Sequence, residues 1–525
     1  MHGLLQFDSL FLAKQIQQNG VESTWRNILF THVSSYPKFE YMSLQPFLSG
    51  GQVLDKDLIQ GLSIGEIGVL YEYSVALADS KKRKESGQFF TPDDVANFMV
   101  ERTKWKDFDS RGVWLDPCSG IGNLAWHLCA AQDDPENFLM NNVKLSDRDP
   151  LALDIARVLF TLSFQKVIPD LYLKIKDSFV VFDFLSVYDN TSELEGSTGW
   201  ATPIPKHDYV IVNPPYLATA RDTRFETADS ADLYAYFLEN ISKTSRGFVS
   251  VTPQSFTNAA KFESLRRLLI ETFPRLVIYC FDNVPGNLFK GYKFGSKNSN
   301  TSNSIRAAVM VATKGDRKAH RITSLMRWKS EDRARLLREA DKFLAHQSFS
   351  SDFFPKVNSR FVNLQKSIEG LDVSTIGNLT SRDGAFALYV PSSPRYFISA
   401  LKSPVDRVSF HVLNFPSSNS RDRAYLVINS SLAYWWWRVR DGGMTLSLAT
   451  LLSTPVPRFS ISASLVKKLE LSEISGKVYK KNAGASRENV KHSRELIHKV
   501  TKQVIPEWAD DLSLTHENSE FAQLS

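Results

Sequence analysis

Residues 208–217 read DYVIVNPPYL, an apolar run that halts at Asn-Pro-Pro-Tyr. Tyr209 to Val212 are β-branched or aromatic without a polar break, the pattern of a parallel strand covered on both faces. The two prolines have no N–H to offer a ladder, and each holds the residue before it extended. The chain therefore makes a stiff turn at the carboxyl end of a strand, with the Asn213 amide and the Tyr216 ring beside it. In open α/β sheets that edge is where ligands bind.

Outward from this strand the rhythm repeats. From residue 87 to about 315, short apolar strands alternate with helical stretches, as in GVWLDPCSGIGNLAWHLCAA, VKLSDRDPLALDIARVLF, SFVVFDFLS, GFVSVTPQSF, RLVIYCF and IRAAVMVATK. That alternation predicts a doubly wound, mostly parallel, Rossmann-like α/β sheet. Residues 1–80 show helical spacing and lead into the basic run KKRK. The Gly/Ser/Asn-rich stretch 291–304 reads as a mobile surface loop. A charged helix over 330–345 then opens a region of mixed strands, turns and aromatics. Three parts are expected: a helical segment over 1–80, a sheet domain over 81–330 and an α+β domain over 331–525.

At 525 residues the chain is too long for one ordinary core. Its 43% hydrophobic and 23% charged residues exclude a disordered chain. No apolar run reaches membrane-spanning length, and the first twenty residues lack the basic start and apolar core of a signal peptide, so a cytoplasmic protein is expected. Cys118, Cys129 and Cys280 are widely spaced and odd in number, which argues against a zinc site or a disulfide framework. Residues 1–330 hold 37 Lys and Arg against 37 Asp and Glu, whereas residues 331–505 hold 26 against 15, an excess of +11. A neutral body with a basic C-terminal part suits a polyanionic partner.

Four consecutive strand ends carry candidate chemistry. The first ends at Asp116 and runs into a glycine loop, Gly120 and Gly122, before a helix, so backbone amides can approach a ligand closely. The second ends in Asp147, with Asp149 two residues on; an acid there suits a ribose diol, and Asp147 is preferred because it comes directly off the strand. The third ends in Asp183, able to accept from an exocyclic amine, and Phe184, able to stack on a purine. The fourth is Asn-Pro-Pro-Tyr. An acid at a strand end is commonly only a helix cap, but four such ends in series are consistent with one site.

Taken together, GQFFTP (87–92), DPCSGIG and NPPY resemble the gamma class of N6-adenine DNA methyltransferases found in bacterial restriction–modification systems. The resemblance implies S-adenosyl-L-methionine as cofactor, with Phe89, Phe90, Thr91, Pro92, Asp116, Gly120 and Gly122 around its methionine end. It implies Asp147 at the ribose, Asp183 and Phe184 at the adenine, and Asn213 at the methyl group. The sheet domain alone is expected to bind this cofactor. The catalytic tetrapeptide would be Asn213, Pro214, Pro215 and Tyr216, with Phe289 a candidate for holding the target base. DLYAYFLENI (232–241) matches a wall of the site, and LVINSSLAYWWWRVRDGGMTLSLATLLSTPVP (426–457) looks like a target-recognition domain. Double-stranded DNA is the implied partner, and a cognate restriction endonuclease, where one exists, is expected as a separate chain.

The chemistry fits these residue types. An adenine amine is a poor nucleophile because its lone pair is delocalised into the ring. The Asn213 oxygen and the Pro214 carbonyl can accept its two hydrogens and aim the lone pair at a methyl group. A base within a duplex must first be flipped out, and Tyr216 would then supply a stacking face. RNA and protein-glutamine methyltransferases, which use the same tetrapeptide, and a non-catalytic DNA-binding specificity protein are the rival readings. AYWWWRVR (433–440) could stack on bases, but such a run is more often core.

Overall fold

A computed structural model describes residues 8–78, 90–186, 204–289, 293–294, 297–298, 305–315, 318–369, 374–394, 396–407, 409–441, 445–482 and 485–524. Phe89 and most of the 291–304 loop lie outside the described residues. One nine-stranded sheet dominates: β1 (Trp114–Asp116), β2 (Val143–Asp147), β3 (Phe179–Val181), β4 (Tyr209–Val212), β5 (Gly247–Pro253), β6 (Arg275–Phe281), β7 (Ala307–Thr313), β8 (Ala319–Met326) and β9 (Ala345–His346). Their spatial order is β9-β8-β6-β7-β5-β4-β1-β2-β3. Strands β3, β2, β1, β4 and β5 run parallel, β7 is antiparallel between β5 and β6, and β8 is parallel to β6. The doubly wound, mostly parallel α/β sheet expected from the sequence is present.

Strand residues alternate between two cores, as a sheet covered on both faces requires. Ile211 and Val249 join Phe98, Leu128 and Phe160 on one face. Val210, Val212 and Phe248 join Leu238, Ile241 and Leu265 on the other. The helix Pro150–Phe164 illustrates how local chemistry sets an element: Pro150 occupies its first turn and the Asp149 carboxylate accepts from Leu151 and Ala152 N–H. Its outer residues Ile155 and Leu159 meet Trp25, Leu29 and Leu70 of the N-terminal helices Ser9–Ser34 and Ile64–Ala78. The N-terminal segment is thus packed against the sheet domain.

The sheet continues beyond residue 330, where the catalytic part is expected to end, and closes with β9 at His346. The charged helix expected to open the C-terminal region is Arg333–Glu339, yet its Leu336 and Leu337 are buried in the sheet's core. A separate C-terminal core gathers residues from Val357 to Leu512 under helices and two-residue to six-residue antiparallel strand pairs, including Phe386–Pro391 with Phe410–Phe415. This is the expected α+β region. AYWWWRVR forms the helix Ser431–Arg440, whose three tryptophans are all buried, so they are core.

That helix also ties the two bodies together. Asp282, directly after β6, is fully buried and meets Arg306 Nε at 2.8 Å, Arg327 Nε at 3.1 Å and Arg438 at 2.6 Å. Burial alone would raise this carboxyl, but the charges of Arg438, Arg306 and Arg327 outweigh it and hold Asp282 well below the usual carboxylate range. Arg438 further donates to the Leu325 carbonyl at 2.5 Å, and Asn258 donates to Asp441 at 3.0 Å.

Candidate functional site

The strand order reverses between β1 and β4, and a cavity of about 170 Å³ opens at the carboxyl ends of β1 to β4. Such a switch point leaves a crevice because neighbouring crossovers depart to opposite faces. Asp116, Gly120, Asp147, Asp183, Phe184 and Asn213 all line it, as do Phe90 and Thr91. Nine residues of the chain's proposed site thus converge from segments more than a hundred residues apart once Pro215 is added.

The glycine loop is tied to β2. Gly120 has φ +52°, and a Cβ placed on it would meet nothing within 4 Å, so the backbone there is bare toward open space. Its N–H donates to Asp147 Oδ2 at 2.8 Å, while Asp147 Oδ1 accepts from Asp149 N–H at 3.0 Å. Gly122, also at positive φ, serves differently, since a Cβ there would come within 2.7 Å of Phe160 and 2.8 Å of Leu145. It is needed for close packing under the loop rather than for contact with a ligand. Pro92 likewise does not line the cavity; it starts the helix Asp93–Thr103, and its carbonyl accepts from Val95 and Ala96 N–H.

Asp116 is the most unusual group. It is 2% exposed, and among the described residues its Oδ1 has no hydrogen-bond partner. Burial pushes its carboxyl well above the ordinary range, and the neighbouring Asp147 charge adds to this. Burial also raises Asp147, partly offset by the two N–H groups it accepts from. An orphaned buried carboxylate oxygen carries a desolvation penalty unless something satisfies it. The cavity lining carries five carboxylates, Glu72, Asp116, Asp147, Asp149 and Asp183, against one guanidinium, Arg148. Such a lining favours a cationic ligand and disfavours a polyphosphate. Asp149, the alternative ribose ligand, is already engaged: one oxygen caps the Pro150–Phe164 helix and the other accepts from the Tyr71 hydroxyl.

At the β4 end, Asn213 Nδ2 donates to Thr91 Oγ1 at 2.9 Å, so the amide is oriented by the FFTP segment. Thr91 is itself held, its carbonyl accepting from Asn123 Nδ2 at 2.7 Å. The Asn213 carbonyl accepts from Cys118 Sγ at 3.3 Å. Leu233 and Phe237, one helical turn apart on Leu233–Thr244, form the wall expected from DLYAYFLENI. Phe184 is buried with its ring stacked on Phe237 at 5.5 Å, and Asp183 accepts from Leu185 N–H.

Tyr216 and Phe289 come together but not as an open base slot. Their rings meet edgewise at 6.1 Å, Phe289 is fully buried, and the Tyr216 hydroxyl donates to the Val251 carbonyl at 2.8 Å. Neither ring, nor Pro214, lines the cavity at the switch point. Among the residues missed by sequence reasoning, beside Asn123, Arg148 and Phe182, are Gly68, Tyr71 and Glu72, which bring the N-terminal helix Ile64–Ala78 to the cavity. Their signal, a hydroxyl-bearing tyrosine within the apolar run EIGVLYEY, is present but says nothing about where that face lands.

Two family models match adjoining stretches of the chain: N-6 DNA Methylase over residues 63–137 and Eco57I restriction-modification methylase over residues 141–284. Every residue lining the cavity falls within these stretches. The part of the chain that bears the site is therefore similar to methyltransferases of restriction–modification systems. The Type II methyltransferase M.BsuBI of Bacillus subtilis is 24% identical over 199 residues, which make up 36% of this chain and 38% of that protein. Among solved structures, DrdV in its DNA complex aligns with a TM-score of 0.42 and 17% identity over 62% of this chain and 37% of its own. The match thus spans less than half the length of either of these two proteins. The methyltransferase subunit of a type I restriction–modification system from Streptococcus thermophilus aligns with a TM-score of 0.36 and 16% identity over 64% and 75%.

Proposed function

We propose that the protein is a site-specific DNA methyltransferase that transfers a methyl group from S-adenosyl-L-methionine to N6 of an adenine flipped out of duplex DNA. The observation that carries this reading is the acid-lined cavity at the switch point, with Asp116 Oδ1 unpartnered at the end of β1 and Asn213 at the end of the adjoining β4. A ligand with a sulfonium and an ammonium group suits five carboxylates; a nucleoside polyphosphate does not. Asp116 would hold the cationic methionine end, Asp147 the ribose diol, and Asp183 with Phe184 the adenine. The space beside Gly120 leaves room for the ligand at the loop.

When bound, the cofactor supplies an electrophilic methyl group that leaves a neutral thioether behind. The chain's own residues do the rest. Asn213, held through Nδ2 by Thr91, presents its oxygen to the target amine, and the rigid prolines keep the following carbonyl from moving. Accepting both amine hydrogens draws the nitrogen toward tetrahedral geometry and frees its lone pair. The alkylated amine is acidic, so its proton leaves without a dedicated strong base. The excess positive charge of residues 331–505 supports binding of the DNA backbone by the C-terminal body. That makes this body the target-recognition domain, with the helical segment and the sheet domain supplying cofactor binding and chemistry.

Asp116→Asn should weaken cofactor binding by about 1.5–3 kcal/mol, the range for a hydrogen bond to a charged group. The pH dependence has a definite sign. Asp116 lies above its ordinary pKa in the free protein, and a cation at Oδ1 favours the ionised form. Binding should therefore release a proton, and affinity should rise with pH until the free carboxyl is ionised. Calorimetry in buffers of different ionisation enthalpy reads that proton; parent protein with a pH-independent affinity would speak against this role. The function itself is tested by long-read sequencing of DNA from cells with and without the gene, scored for N6-methyladenine at a defined motif. Methylation of RNA or of a glutamine side chain in place of DNA would overturn the assignment.

A further inference from the structure

We propose that Tyr71 is a positioning residue for the cofactor's ribose, which makes the N-terminal helix Ile64–Ala78 an integral wall of the site. The inference rests on the cofactor reading above and deepens it. The sequence predicts cofactor binding by the sheet domain alone; the cavity instead includes Gly68, Tyr71 and Glu72 from that helix.

An unbroken series of hydrogen bonds runs from Tyr71 to the glycine loop. The Tyr71 hydroxyl donates to Asp149 Oδ2. Asp149 N–H donates to Asp147 Oδ1 at 3.0 Å, and Gly120 N–H donates to Asp147 Oδ2 at 2.8 Å. Asp147 is the carboxylate assigned to the ribose diol, so its orientation depends on where Asp149 is held. Asp149 Oδ1 already caps the Pro150–Phe164 helix, which leaves Oδ2 as the oxygen through which the N-terminal helix can act. A capping aspartate needs no tyrosine in order to cap, so the extra donor has another use.

The helix is built to bring Tyr71 there. A Cβ at Gly65 would stand 2.8 Å from the Phe90 ring, and one at Gly68 would stand 3.1 Å from it. The two glycines let the helix lie flush on Phe90, itself a cavity wall. Tyr71 follows one turn after Gly68, with Trp25 edge-on to its ring at 5.5 Å. Burial and the charges of Asp149 and Asp147 push the Tyr71 phenol far up, so it remains a donor at any working pH.

Titration calorimetry on the full chain tests this with S-adenosylhomocysteine and its 2′,3′-dideoxy analogue. The parent protein should bind the first well and the second much more weakly. Tyr71→Phe keeps the ring and the packing. It should weaken S-adenosylhomocysteine about tenfold while affecting the dideoxy analogue little, so that discrimination for the diol shrinks. Asp149→Ser, whose single hydroxyl still caps the helix but leaves no second oxygen to reach Tyr71, should behave alike and guards against a folding defect in the first variant. Parent-like discrimination in both variants, or equal weakening of both ligands, overturns the role of Tyr71 and leaves the cofactor reading standing. Failure of the parent protein to bind S-adenosylhomocysteine overturns the cofactor reading and this inference with it.

Discussion

Asn213→Ala is expected to lower methyl transfer by a factor on the order of 10²–10³, the loss seen when one preorganised hydrogen-bonding group is removed from a reacting centre. Cofactor affinity should change only a few-fold, because Asn213 is one of many residues around the cavity. Asn213→Asp separates the chemistry from the packing. In the native protein the amide donates to Thr91 Oγ1. A hydroxyl can accept or donate, so with aspartate the Thr91 O–H turns and donates to the carboxylate instead. Both oxygens of that side chain remain acceptors, and the aspartate variant should keep most of the turnover that alanine loses. Single-turnover assays with labelled cofactor measure both. Turnover by the alanine variant equal to that of the parent would sink the proposed role of the tetrapeptide.

The second large effect is on stability. Asp282→Ala removes the one carboxylate shared by Arg306, Arg327 and Arg438, all of which are buried. Replacing the whole cluster by apolar residues could be neutral, but removing one partner leaves charge buried without compensation, at a cost of about 3–5 kcal/mol. The unfolding midpoint should fall sharply, and the C-terminal body should become protease-sensitive before the sheet does. The dependence on pH follows from the direction of the shift. Asp282 is depressed in the folded state, so its stabilisation is present above the unfolded carboxylate pKa and is lost only as pH falls through the lower folded value. The parent and variant should therefore differ by the same amount at pH 6 and pH 8. A variant that melts with the parent would show that the cluster contributes nothing.

What could be read from the chain follows the range of each signal. Strand ends are local: an apolar run, then Asp116, Asp147, Asp183 or Asn213, and the parallel sheet brings these ends to one edge without further information. The tryptophan run was also legible, because three large apolar rings in succession can hardly all face water. Tyr71 was not, since its partner Asp149 lies 78 residues away and helical spacing does not say which neighbour a face will meet. Gly122 was misread because a glycine that permits close packing and one that admits a ligand look the same in sequence; only the 2.7 Å approach of Phe160 separates them. The end of the sheet near His346 was obscured by a charged stretch in which only Leu336, Leu337, Ala340, Phe343 and Leu344, set among charges, show that the chain has not yet left the core.

If the protein methylates DNA as proposed, the helix Ser431–Arg440 bears on how it could acquire a new target sequence. It lies among the buried residues of the C-terminal body and yet reaches through Arg438 into the interior of the sheet domain. A cut at residue 331 would tear both interiors, so wholesale exchange of the second half between relatives should yield insoluble chimeras unless the partners of Asp282 travel together. Retargeting is better attempted by grafting exposed loops onto the intact scaffold. For the same reason, natural drift in specificity should accumulate as patchwork change on the outside of the C-terminal body rather than as replacement of a module.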